Sequence, residues 1–224
     1  SKMKKLIAIS FFLALTFNIQ AQNQTNNWMF AFVSMTFNSG FPVVNGNTPV
    51  PFVRSTSISD TNGNLLFSTN GGYIWNKHNQ IMQNGDGLLG DGSAKQPVVI
   101  VPKPGSTDIY YVFTVGGYSV LKGLHYSIVK MTENNGNGAV IEKNVPISSA
   151  NWARQKVTAI KHDNNEDWWI ITKLYHANNP TMYACFLLTK NGISDLLVLS
   201  ISPELQNVSG NWGDLKVSQS KKIL

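Results

Sequence analysis

"ISDTNGNLLFSTNGGYIWNKHNQIM", Ile58 to Met82, is the stretch on which the reading of this chain turns. Asp60, Asn62 and Asn64 alternate around a glycine, as the ligands of a calcium loop do. The same residue types also build tight turns, because Gly and Asn accept positive φ and Asp and Asn bond to nearby backbone. A calcium loop needs further oxygen ligands and a bidentate Glu near its end. Here Leu65, Leu66 and Phe67 follow, and they read as a strand. The stretch predicts a hairpin.

The composition points the same way. Only 13% of the 224 residues are charged, 11% are aromatic, and 25 are Asn. Turn-forming residues alternate with short aromatic and β-branched runs, and no long polar helical pattern appears. The fold class expected is all-β.

The first 21 residues stand apart. Lys4 and Lys5 precede the apolar run "LIAISFFLALTFNI" (Leu6 to Ile19), and a small residue, Ala21, follows. This is the pattern of a secretory signal peptide cut after Ala21, and the run is short for a bilayer span. The mature chain, 22–224, is expected to carry no transmembrane segment and to be secreted or displayed on a bacterial surface. Removing Lys2, Lys4 and Lys5 lowers the formal charge from +6 to +3. No basic run remains beyond Lys221 and Lys222, which argues against nucleic acid as a partner. The single cysteine, Cys185, sits in "YACFLLT" and reads as a buried thiol.

One unit recurs along the mature chain. "STSISD" then "NLLFST", "PVVIVPK" then "DIYYVFTV", and "VTAIKH" then "DWWIITKL" each pair a short strand with a stronger one across a polar turn. A third strand follows in each ("YIWN", "LHYSIVKM", "MYACFLLT") and then a weaker fourth segment ("HNQIM", "AVIEKNVPI", "SDLLVLSI"). Four consecutive strands repeated at such intervals predict a β-propeller with four-stranded antiparallel blades. The expected blades are 28–82, 97–147 and 156–201, with another beginning at 213–224, so the propeller would be partial.

"SISDTNGNLLFSTNGGYIWNKHNQIMQNGDGLLG", "VIVPKPGSTDIYYVFTV" and "GLHYSIVKMTENNGNG" resemble the N-terminal β-propellers of large surface proteins from gliding bacteria. Many of those proteins end in a gliding-motility-associated C-terminal domain and are exported by the type IX pathway. The resemblance spans about 28–224. It implies an exported adhesion or interaction scaffold, with further blades or a sorting domain expected beyond this chain. It transfers no catalytic residue, since the shared motif is turn and strand.

Chemistry is sparse. His125 lies in a strand; His78 and His176 lie in polar loops; His162 ends a strand beside Asp163 and is kept as a candidate ligand contact. No HxxxH, HxH or CxxC spacing occurs, and no cofactor is expected. Asp86 and Asp91 share the Gly-rich "NGDGLLGDG", read as a turn in preference to a cation loop. Trp28 and Trp75 read as packing, and at least one of Trp168 and Trp169 must face a core. Trp152 and Trp212 sit in connecting loops, where each either plugs a gap between blades or stacks on a sugar or peptide. The expected function is a non-enzymatic scaffold for binding a surface glycan or protein. The alternatives are a propeller-based polysaccharide hydrolase or lyase, and a carbohydrate-binding module using Trp152 and Trp212.

Overall fold

The structure is a computed structural model that describes residues 23–30, 32–47, 54–117, 122–175, 182–194, 196–201 and 214–217. The segment expected to be a signal peptide, with Ala21, lies outside the described residues, as do Trp212, His176 and most of 213–224. The described chain is all-β and folds into four antiparallel sheets in sequence order. The first holds β1 (Asn27–Phe30), β2 (Val33–Thr36) and β3 (Val43–Asn47). The second holds β4 (Thr56–Ser59), β5 (Leu65–Thr69) and β6 (Ile74–Asn76). The third holds β7 (Val98–Pro102), β8 (Ile109–Val115), β9 (Leu124–Lys130) and β10 (Ala139–Pro146). The fourth holds β11 (Ala153–Lys161), β12 (Trp168–Leu174), β13 (Met182–Thr189), β14 (Gly192–Ile193) and β15 (Val198–Ile201), with β14 and β15 both paired to β13.

The second, third and fourth sheets pack face to face, and β8 shows why. Alternate residues of a strand point to opposite faces. In "IYYVFTV", Tyr110 and Val112 enter one apolar cluster with Ile58, Phe67 and Ile74 of the second sheet. Tyr111, Phe113 and Val115 enter another with Val157, Ile170, Phe186 and Leu188 of the fourth. A strand buried on both faces needs a continuous run of large apolar residues, and β8 has one. Each such side chain contributes roughly 1.5–3 kcal/mol of burial. The junction of the first and second sheets is polar instead. Asn27 Nδ2 donates to Ser59 Oγ at 2.8 Å and to the Gly63 carbonyl at 2.7 Å. The Ser55 hydroxyl donates to the Met29 carbonyl at 2.7 Å, and the Ser57 hydroxyl to the Asn27 carbonyl.

The leading strands of these sheets meet along one line. Contacts join β1 to β4, β4 to β7, and β7 to β11. Parallel bridges join Gln96 to Lys156 and Gly116 to Arg154. A bulge in β11 between Ala153 and Val157 frees this strand from β12 there. Gln155, buried and at φ 72°, sits in the bulge.

Several expectations are revised by these elements. The span 28–82, expected as one unit, contains two sheets, because β1–β3 pair only among themselves. The intervening "NTPVPF" carries two prolines, which cannot donate to a ladder. The fourth segment "HNQIM" amounts to one isolated bridge, Trp75 to Ile81. "SDLLVLSI" contributes β15, which adds to β13 beside the two-residue β14. Trp75 is buried as expected, but Trp28 is 48% exposed, its indole N–H donating to the Thr25 carbonyl at 2.8 Å.

Both outer faces of the row are apolar. On the first sheet, Trp28, Met35 and Val44 align across the strands, and Val44 is 60% exposed. On the fourth, Ile160, Trp169 and Leu187 align, as do Ile171, Cys185 and Val198. Exposed apolar residues such as Val44 on the first sheet and Val198, 47% exposed, on the fourth favour association. Light scattering on the purified protein should find particles larger than a monomer that grow with concentration, and fewer of them for the Trp28→Glu/Val198→Glu variant. A monodisperse monomer at every concentration would contradict this.

Candidate functional site

The Asp60–Asn64 loop joins β4 to β5 and its oxygens are engaged by its own backbone. Asp60 Oδ1 accepts from the amides of Asn62 at 2.8 Å and Asn64 at 2.9 Å, while Oδ2 accepts from Asn64 Nδ2 at 3.0 Å. Slight burial opposes ionisation, but the bonds from Asn64, Asn62 and Gly63 outweigh it and hold the carboxyl below its ordinary value. Gly63 alone in this loop takes positive φ, at 86°. Its carbonyl also accepts from Asn38 Nδ2 at 3.0 Å, so the turn is docked on the first sheet. This is the geometry of a hairpin.

Corresponding loops follow β7 and β11. After β7, the Ser106 hydroxyl donates to Asp108 Oδ1 at 3.0 Å, and Thr132 donates to Oδ2 at 2.9 Å. After β11, Asn164 Oδ1 accepts from the amides of Glu166 and Asp167, both at 3.0 Å. His162 belongs to this second loop. Its Nδ1 accepts from the Asn164 amide at 3.1 Å, and its ring lies 5.6 Å from that of Trp169. That assigns the imidazole a turn-shaping role. Asp86 and Asp91 diverge: Asp86 pairs with Lys143 at 3.2 Å, whereas Asp91 accepts from the amides of Ser93 and Gly117 at 2.8 and 3.2 Å. Among the described residues, no group of three or more His, Cys, Asp or Glu is placed to hold a metal.

Two partly buried groups are displaced chiefly by burial. Desolvation pushes the His125 imidazole below its usual value and the Cys185 thiol above it. His125 Nδ1 finds no hydrogen-bond partner among the described residues, so it reads as a packed strand histidine. Trp168 packs partly against the core of the third and fourth sheets, with Lys161 Nζ 4.3 Å from its ring centre. Trp169 faces the opposite side, lining a cleft with Ile160, Ile171, Cys185 and Val198.

The leading ends of the inner strands hold what linear reading missed. Arg54, Lys95, Asp214 and Lys216 line one cleft of about 320 Å³ together with Ser55, Gln96, Pro97 and Val98. Leu215 anchors the 214–217 segment there: it is buried, and its amide donates to Gln96 Oε1 at 2.9 Å. Lys156 stands behind, bridged to Gln96, its ammonium disfavoured by burial and then by Lys95, against a favourable pull from Asp214. Lys173 is likewise disfavoured by burial and by Lys156. Beside them, Arg154 and Lys173 lie 4.4 and 4.9 Å from the ring centre of Tyr175. Trp152, at the start of β11, is 49% exposed, and its carbonyl accepts from the Tyr175 amide at 3.0 Å. These cations are 2 to more than 100 positions apart in sequence, so no run announces them. The signal that could have found two of them is a basic residue two or three positions before a first strand, Arg54 before β4 and Lys95 before β7.

Compared with known proteins, the chain matches no family model, no curated protein and no solved structure. The resemblance to surface propellers therefore stands on the residues quoted for it. Asp60→Ala should cost about 1 kcal/mol, the scale for a lost turn or cap side chain. Melting of the parent should be the same in calcium and in chelator. A chelator-sensitive melting temperature that the variant loses would establish a metal loop instead.

Proposed function

We propose that this protein is an exported, non-enzymatic β-propeller segment that acts as a binding or adhesion scaffold at a bacterial surface. The observation that carries the reading is the row of consecutive antiparallel sheets packed face to face, with parallel contacts between leading strands β7 and β11. A blade cannot cover both its faces alone, so stacking of this kind is what a propeller requires. The loop carboxylates favour structure over catalysis: those of Asp60 and Asp108 serve turns, and Asp86 is tied to Lys143. Supporting export are the basic-then-apolar start of the chain and its resemblance to surface proteins of gliding bacteria.

Protease treatment of intact cells gives the test. Peptides from the loops, including the one around Lys77 and His78, should be released without lysis. Release only after lysis would contradict export and, with it, the proposed role.

A further inference from the structure

We propose that the cleft lined by Arg54, Lys95 and Lys216 binds the acidic groups of a polysaccharide carrying carboxylates or sulfates, with Trp152, exposed just before β11, as a stacking surface. This rests on the reading of the protein as a binding scaffold and names the class of ligand. Three cations from three separate segments converge on one cleft that contains a single carboxylate, Asp214, among the described residues. Arg54 also donates to the Gly92 carbonyl at 3.3 Å, which fixes the position of its guanidinium. Arginine in a held position suits planar carboxylate or sulfate, and lysines add point charge. Lys156, bridged to Gln96 of the cleft wall, adds to the positive potential there.

The opposite ends of the inner strands differ. There Asp60, Asp108, Asp163, Glu166 and Asp167 outnumber Lys103 and Lys161, so the balance of these groups is negative. The positive excess is confined to the leading ends, where Trp152 is also exposed. Asp214 decides between polyanions. A sugar ring presents hydroxyl donors that a carboxylate can accept, whereas a phosphodiester backbone presents only further negative charge. A carboxylate amid cations therefore fits an acidic glycan better than a nucleic acid. An aromatic face that is apolar on one side and wet at the edge matches the alternating character of a pyranose.

Calorimetric titration of the protein with polygalacturonate, dextran sulfate, neutral dextran and single-stranded DNA tests this. Polygalacturonate or dextran sulfate should bind, more weakly as salt rises, and neutral dextran should not. Arg54→Glu/Lys216→Glu should weaken binding by roughly tenfold or more, the scale for charge-assisted contacts. Trp152→Ala should weaken it too, and Lys103→Glu at the opposite end should leave it unchanged. Lys216 is exposed, so Lys216→Glu alone serves if the double variant loses its melting transition. DNA of matched charge binding as tightly as the glycan would overturn the inference, as would unchanged binding in a folded cleft variant. If the protein is released from intact cells by protease yet binds neither acidic glycan, the inference fails and the surface scaffold stands.

Discussion

Two glutamine side chains and the backbone around them hold the inner strands together. The Gln96 amide donates to the Gln155 carbonyl at 2.8 Å, and the Val157 amide returns a bond to the Gln96 carbonyl at 3.1 Å. The Gln155 amide donates to the Gly116 carbonyl at 2.8 Å, and Gln155 Oε1 accepts from the Lys95 amide at 3.3 Å. Gln96 Oε1 then accepts from Leu215, tying in the 214–217 segment. Buried backbone donors left unpaired cost about 1–3 kcal/mol each, so this knot specifies one arrangement of the third and fourth sheets. Positive φ at a non-glycine residue is disfavoured. Gln155 holds it at the bulge, where β11 leaves one partner and takes another.

That constraint also creates the charged cleft. Because β7 and β11 meet in parallel at their leading ends, Lys95 and Lys156 are brought to the same side as Arg54 and Lys216. Antiparallel contact would have sent Lys156 to the far end of the row. Holding lysines at low exposure costs desolvation, which lowers the affinity of Lys156 and Lys173 for their protons. The apolar clusters on either side of β8 supply the opposing stabilisation. Packing and charge placement thus come from the same register.

Much of the fold was legible. The aromatic and β-branched runs of β5, β7, β8, β9, β12 and β13 lie where their patterns indicated, and the polar turns after β4, β7 and β11 carry the Asp, Asn and Ser side chains that cap them. The first sheet was not separable from the second, because "NWMF", "VSMT" and "VVNGN" are short and lack the continuous apolar run of a doubly buried strand. Trp28 was misjudged for a related reason: strand membership indicates burial only when another sheet covers that face. The cationic cleft was illegible as one site because its members come from three segments that only the fold brings together. No rule of local sequence assigns αL backbone to a glutamine.

The central claim is that this inner-strand register holds the sheets as one cooperative row. Hydrogen exchange at the amides of Gln96, Gln155 and Val157 measures it directly. The account predicts exchange as slow as that of Phe113 and Phe186 in the sheet core, limited by global unfolding. Exchange at the rate of loop amides such as Asn165 would mean that the sheets open independently, and would contradict it.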